Sequence, residues 1–538
     1  MKKLLLSLLL TLAFGPCQNQ IVYKYWVSLS DKTPTSFSIH NPTPFLSQRA
    51  LDRRQRQQIP IDTLDLPVCE TYLQAFRDKG FLLQNRSKWL NGVMLFSPDS
   101  TLASSLDSLP FVRSYTLVAK DSLPRPHIPL NNWSFPFPPI PYDTAFSPGY
   151  YGLSYPQIRQ LNGVPFHRAG YQGQNLIIGV CDAGFPGVDT LPIFDSLLLQ
   201  GRLLASRDFV WPDNDPFNIS QHGTMVLSTM AAYSPGAYVG TAPQAAYVLC
   251  RTENALSETP AEMYNWVAAA EYLDSLGADI LTSSLGYLHF DNFSYTPQQL
   301  DGHTTPIAIA AAIAVSKGML LLNAAGNNGL DSLPLLNSPA DVASVLTVGA
   351  VREDSTLSPF SSPGPTADGR IKPDVVALGS DIVLSNESGF CISNGTSFAT
   401  PVLAGMMASL WQSHPSWTPQ QLCDTIRSWG SHATSPDNYY GYGIPDMGRA
   451  TDSPAPLAIH TQPTPQPLIW PIPASDRLTV QHPSLRQIVI YTTQGTIVKR
   501  QTCHSPQTQI NLSDLPSGIY FISTTTPSAT FTERLIKH

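Results

Sequence analysis

The sequence predicts an α/β protein: a doubly wound, mostly parallel sheet at its centre, an α+β block before it and a small β-sandwich after it. Three observations carry this expectation. Between residues 151 and 450, short apolar runs alternate with helical runs, the pattern of a parallel sheet covered on both faces. Two proline-dense belts isolate that stretch, with eight prolines in 121–150 and seven in 451–473. Beyond the second belt, β-branched residues alternate with polar ones and turn signals intervene, as in a sandwich. At 538 residues the chain exceeds one ordinary core, so several domains are expected.

Taken in order, Lys2 and Lys3 precede an apolar run over 4–14. That run is well short of the ~20 apolar residues that span a bilayer, so 1–17 is predicted to be a signal peptide. Residues 20–120 mix a strand-like piece, 23–29, with a helix-like one, 71–79, and read as a small α+β domain. The belts at 121–150 and 451–473 read as linkers or wrapped extended segments, because proline disrupts helices and central strands alike. In the 151–450 block, strands are predicted at 176–180, 246–250, 280–284, 319–323 and 345–348. The clearest helices are 261–276 and 306–317. Active sites of such sheets gather beyond the carboxyl ends of the strands. In 474–538, strands are predicted at 477–480, 487–492, 496–500, 509–512 and 519–524.

Charged residues make up 13% of the chain, about half the usual ~25% share, and the net charge is −7. With no basic cluster, nucleic acid is excluded as a partner. The seven cysteines, at 17, 69, 181, 250, 391, 423 and 503, form no C-x-x-C pair. There is no H-E-x-x-H either, so no zinc site is expected. Six remain after signal removal, in a compartment that allows disulfides of unreadable connectivity; for Cys181 and Cys250, which fall on apolar runs, free buried thiols fit equally well. No dinucleotide fingerprint or P-loop follows a strand. Asp213-Asn214-Asp215 could ligate calcium but reads as a solvated turn, and no cofactor is claimed.

Four segments carry chemistry. Leu176 to Val180 and Cys181 form an apolar strand ending in Asp182. Gln221-His222-Gly223-Thr224 sets a histidine at the start of an apolar helix. Asn394-Gly395-Thr396-Ser397-Phe398-Ala399-Thr400-Pro401 sets a serine at the start of another, with Pro401 tolerable in the first turn. Asn323-Ala324-Ala325-Gly326-Asn327-Asn328-Gly329 follows a buried strand. Acyl transfer needs these parts. A serine hydroxyl is a poor nucleophile until an imidazole takes its proton. The imidazole needs a carboxylate to fix its tautomer. An Asn amide and the serine N–H at a helix start can hold the oxyanion. Each piece alone reads as a turn or a cap. All four, in order on one α/β block, do not.

Residues 155–450 resemble the subtilisin-like serine peptidases (subtilases). The likeness rests on His222-Gly223-Thr224, on Gly395 to Pro401, and on the stretch 360–379, F-S-S-P-G-P-T-A-D-G-R-I-K-P-D-V-V-A-L-G. The chain order Asp182, His222, Ser397 is also that of subtilisin. The resemblance implies Asp182 as orienting carboxylate, His222 as general base, Ser397 as nucleophile and Asn327 as oxyanion donor. It implies that Ser284, Leu285 and Gly286 form an edge pairing with a polypeptide substrate. Ala324, Ala325 and Gly326 would line the opposite wall, with Asn337 near the pocket floor. The sequence departs from the family at Ala183, where Ser or Thr is usual, and at Met225, Pro363 and Leu378. Residues 20–120, with Phe45-Leu46-Ser47-Gln48-Arg49-Ala50 and Asn85-Arg86-Ser87-Lys88-Trp89-Leu90-Asn91, resemble the pro-region of Bacteroidetes-type subtilases, which implies an intramolecular inhibitor; the alternative is a permanent accessory domain. Residues 474–538, with Pro471-Ile472-Pro473-Ala474-Ser475 at their start, Leu515-Pro516-Ser517-Gly518-Ile519-Tyr520-Phe521 within and a Lys537-His538 end, resemble a type IX secretion sorting domain, which implies the outer-membrane secretion machinery of a Gram-negative bacterium as partner; a carbohydrate-binding β-sandwich is the competing reading. The resulting expectation is a secreted or cell-surface serine endopeptidase. The rivals are a catalytically silent surface-binding protein on the same scaffold and an α/β-hydrolase esterase, whose motif and residue order fit poorly.

Overall fold

The computed structural model describes residues 20–123, 135–142, 144–211, 215–451, 468–470 and, with short gaps, 474–537. The predicted signal peptide, Cys17, Asp213 and Asn214, and most of the second belt lie outside the described residues. Residues up to 455 form one compact unit and those from 456 a second.

In the first unit the opening block is a four-stranded antiparallel sheet of β1 (Gln20–Leu29), β2 (Leu82–Ser87), β3 (Gly92–Ser97) and β4 (Val112–Leu123), in the order β2-β3-β1-β4. Two helices, α1 (Gln48–Arg56) and α2 (Glu70–Asp78), lie between β1 and β2. Ser47 caps α1 by accepting from the Ala50 N–H at 3.1 Å, which supplies one of the partners a helix start lacks. Strand β4 runs three residues past 120, so this block ends inside the first belt. Further along the belt, Phe135 pairs with Phe390, so this part of it is a wrapped extended segment.

The main sheet of the central block has seven strands: β5 (Ile177–Asp182), β6 (Leu203–Asp208), β7 (Ala246–Arg251), β8 (Ile280–Ser283), β9 (Leu320–Ala324), β10 (Leu346–Val351) and β11 (Val375–Leu378). Their order is β11-β10-β9-β8-β5-β7-β6, and every pairing is parallel. The five predicted strands are present; β6 and β11 are additional. Strands β5, β8, β9 and β10 are buried throughout, because helices cover both faces. On one face lie α3 (His222–Ala231) and α6 (Thr396–Ser413), packed with Val226, Leu227, Val402 and Leu403 in one core. On the other lie α4 (Ala261–Leu276) and α5 (Pro306–Ser316), with Trp266, Leu273, Ile307 and Ala311 in a second core. Gly179 permits this fit, since a Cβ there would sit 2.4 Å from the Leu273 side chain.

In the second unit, β12 (Leu468–Trp470), β13 (Arg477–Gln481) and β16 (Gln507–Asn511) form one sheet in the order β12-β13-β16. The other sheet holds β14 (Gln487–Thr492), β15 (Ile497–Thr502), β17 (Gly518–Thr525) and β18 (Thr530–Lys537) in the order β15-β14-β17-β18. Leu478, Val480 and Ile510 from the first meet Ile488, Ile490, Ile522 and Leu535 from the second, as a sandwich requires. Strand β12 starts within the stretch read as a linker, and β18 was not expected. The six described cysteines are free and buried. No helix among the described residues is long and apolar enough to cross a membrane.

Candidate active site

Parallel strands place their carboxyl ends along one edge, and the candidate residues collect there. Asp182 closes β5, fully buried. Its Oδ1 accepts from His222 Nδ1 at 2.7 Å and from the Ala183 N–H at 2.7 Å. His222 opens α3, and two neighbours fix it. A Cβ at Gly223 would stand 2.4 Å from the Gly184 carbonyl, so only glycine lets the helix start come this close. Thr224 Oγ1 donates to the Pro186 carbonyl at 2.7 Å. Burial pulls the His222 imidazole down, but the Asp182 charge and hydrogen bond, aided by Glu253, outweigh it and raise it above the usual histidine value.

The departure at Ala183 has a visible consequence. Asp182 Oδ2 is buried without a hydrogen-bond partner. The Ala183 side chain offers no hydroxyl to meet it.

Ser397 lies in the first turn of α6, 9% exposed. Its hydroxyl donates to the Ser284 carbonyl at 3.3 Å, and Ser284 Oγ donates back to the Ser397 carbonyl at 2.6 Å. Asn327 Oδ1 accepts from the Thr396 N–H and from Thr396 Oγ1, both at 3.0 Å. That fixes the amide orientation and leaves Nδ2 as the outward donor. Gly326, with φ +114°, makes the turn that delivers Asn327, in a backbone region other residues rarely adopt.

Ala183, His222, Ser284, Leu285, Gly286, Ala324, Gly326, Asn327, Asn337 and Ser397 line one cleft with a volume of about 370 Å³. Asn337 Nδ2 donates to the Gly286 carbonyl at 3.3 Å, tying the two walls together. Ala325 lies beneath the wall, fully buried against Leu336 and Ala340. Among the cleft residues that escaped sequence reasoning, four stand together: Glu253, Asn254, Glu258 and Glu262. Their position, in the loop after the carboxyl end of β7 and the first turn of α4, was the available signal.

The opening block sits on α4. Asp274 meets Arg53 at 2.5 Å, Arg54 at 2.9 Å and Lys88 at 3.2 Å. Glu271 accepts from Ser87 Oγ at 2.5 Å and from the N–H groups of Lys88 and Trp89 at 2.8 and 2.9 Å. Asn265 Oδ1 accepts from Gln84 and Asn85 at 3.0 and 2.8 Å.

Fold, cleft and docked opening block together define a serine peptidase precursor, and comparison with known proteins agrees. Residues 173–443 match the Subtilase family (Peptidase S8), residues 24–131 the Peptidase S8 propeptide domain of Bacteroidota, and residues 468–538 a secretion system C-terminal sorting domain. A subtilisin of Bacillus pumilus is 31% identical over 301 residues, 55% of this chain and 95% of that one. Serine protease AprX of Bacillus subtilis is 30% identical over 303 residues, 50% of this chain and 65% of that one. The epidermin leader peptide processing serine protease of Staphylococcus aureus has a similar fold, with a TM-score of 0.52 and 16% identity, covering 80% of this chain and 98% of that one. The chain belongs to the subtilase family of serine endopeptidases. It carries a propeptide and a sorting domain that marks it as secreted or held at the cell surface.

Proposed function

We propose that this protease hydrolyses peptide bonds through an acyl-enzyme on Ser397. The 2.7 Å contact between Asp182 and His222 carries the reading, because it sits in the cleft that Ser397 and Asn327 also line. The Ser397 hydroxyl turns from the Ser284 carbonyl toward His222 Nε2 and gives up its proton as Oγ attacks the scissile carbonyl. The oxyanion is held by Asn327 Nδ2 and the Ser397 N–H, one of the unpaired donors at the start of α6. His222 then protonates the leaving amine, and water reverses the sequence to free the acid. The propeptide acts as an intramolecular inhibitor until cleaved. No observation favours the silent surface-binding alternative.

A fluorophosphonate probe tests the nucleophile. Labelling of the wild-type protein that vanishes in Ser397→Ala supports the assignment; labelling that persists overturns it. For the oxyanion donor, Asn327→Ala is expected to lower kcat by about a hundredfold to a thousandfold with little change in KM, measured on a chromogenic peptide. For the carboxylate, Asp182→Asn is expected to lower kcat by about ten thousandfold, since the imidazole then rests in the wrong tautomer. Its pH profile should shift too. Asp182 raises the His222 pKa, so removing its charge moves the rise in activity to lower pH.

A further inference from the structure

The cleft wall that joins β7 to α4 gathers three carboxyl groups that, among the described residues, no cation pairs with. Carboxylate oxygens of Glu253, Glu258 and Glu262 lie within 4.8 Å of one another. Glu253 and Glu262 are buried, and protein donors hold them. Glu253 Oε1 accepts from the Tyr287 hydroxyl at 2.6 Å and from Thr252 Oγ1 at 2.9 Å. Glu262 Oε1 accepts from the Asn254 N–H at 2.8 Å and Oε2 from the Thr259 N–H at 3.1 Å. Glu258 is exposed on the cleft side. A fourth acceptor joins them. Asn254 is nine-tenths buried and lines the same cleft, and its Oδ1 has no hydrogen-bond partner. Its Nδ2 is spent on Ser257 Oγ at 2.8 Å and Asp121 Oδ1 at 3.3 Å.

Among the described residues, no lysine or arginine forms an ion pair with these three glutamates. Lys24 is committed to Asp121 at 2.7 Å. Burial and mutual repulsion accordingly push the Glu253 carboxyl up to about 8, and burial with the Asp291 charge pushes Glu258 up to about 7. Four acceptors facing one space make a place for positive charge. The same cleft holds Ser397 and the Ser284–Gly286 edge.

We propose that Glu253, Glu258, Glu262 and Asn254 form a specificity subsite that takes the ammonium or guanidinium group of a lysine or arginine side chain in the peptide being cut. This rests on the reading of the cleft as a peptidase site. Ligand number favours a side chain over a metal. Calcium takes 6–8 oxygens, whereas here four groups converge and several of their lone pairs already accept protein hydrogen bonds. A guanidinium, with five N–H donors in a fixed fork, is served by fewer acceptors.

The experiment scans arginine against its neutral isostere citrulline at each of the four positions before the scissile bond, using fluorogenic peptides and the processed enzyme. At one position arginine is expected to raise kcat/KM by about tenfold to a hundredfold, the range of a charge-assisted hydrogen bond. Glu258→Gln should bring that ratio near one, and Glu258→Lys should make glutamate preferred over glutamine there. An enzyme that takes the fluorophosphonate label in one aliquot and, unlabelled in another, cuts arginine and citrulline peptides equally at all four positions overturns the subsite alone. Calcium binding by calorimetry that is lost in Glu258→Gln, without arginine preference, overturns it in favour of a metal. An enzyme that neither labels nor cuts any peptide takes down both readings.

Discussion

Replacing Ser397 with alanine is expected to lower kcat by about a millionfold, the scale seen when the nucleophile of such a triad is removed. Residual turnover would come from the oxyanion donors and substrate binding. The fold should barely notice. Ser397 is in the first turn of a buried helix, where alanine is well tolerated, and its hydroxyl makes one bond, to the Ser284 carbonyl at 3.3 Å. Losing that bond costs about 1 kcal/mol. The variant should therefore be secreted as an intact precursor, with residues 20–123 still attached, and show the wild-type thermal transition. Full-length protein on a gel and a precursor melting near the wild type would check this. Normal maturation of the variant would show that another protease, or another nucleophile, does the cutting.

Replacing Asp274 with alanine in that inactive precursor is expected to destabilise the docked propeptide by about 3–5 kcal/mol. Asp274 is fully buried among Arg53, Arg54 and Lys88, so its removal strands three cationic side chains, Arg53 and Arg54 fully buried and Lys88 nearly so. Burial opposes its ionisation, but these three charges outweigh it and hold the carboxyl well below the usual carboxylate range. The sign for pH follows. A carboxyl whose pKa is depressed by docking contributes above its free value and loses that contribution only as pH falls through the depressed one. Mild acid, around pH 5, should leave this contact intact. Urea unfolding of the precursor and limited proteolysis of residues 20–123 measure the loss. Replacing the charges together with apolar residues of similar size should cost far less, which separates the pairing from the packing. A loss under about 1 kcal/mol for Asp274→Ala would mean the network adds little to docking.

Much of this was legible because the site obeys a positional rule. Asp182 closes an apolar strand and His222 and Ser397 open apolar helices, so local patterning alone brought them to one edge of one sheet. Helix 261–276 was predicted to its exact ends, since Gly277, with φ +87°, stops it. Strands β6 and β11 escaped for different reasons. β6 is an edge strand, only partly buried, and its sequence LLASRD carries no long apolar run. β11 has four residues and follows a proline-rich stretch. The last strand, TFTERLIK, is broken up by charges. The glutamates of the cleft wall were invisible for a fourth reason. Glu253 and Glu258 read as solvated loop residues and Glu262 as a solvated first-turn residue, and only the tertiary fold shows that Glu253 and Glu262 are buried while facing the same space as Glu258.

The seam between propeptide and α4 also decides what maturation leaves behind. Departure of the propeptide would bare an apolar patch, where Trp26 stacks on Tyr264 and Trp89 joins the core beside Trp266. It would also wet Asn265, Glu271 and Asp274 on the enzyme and Arg53, Arg54 and Lys88 on the discarded piece. The acidic groups flanking that patch carry the same sign on every mature copy, which opposes clumping through it.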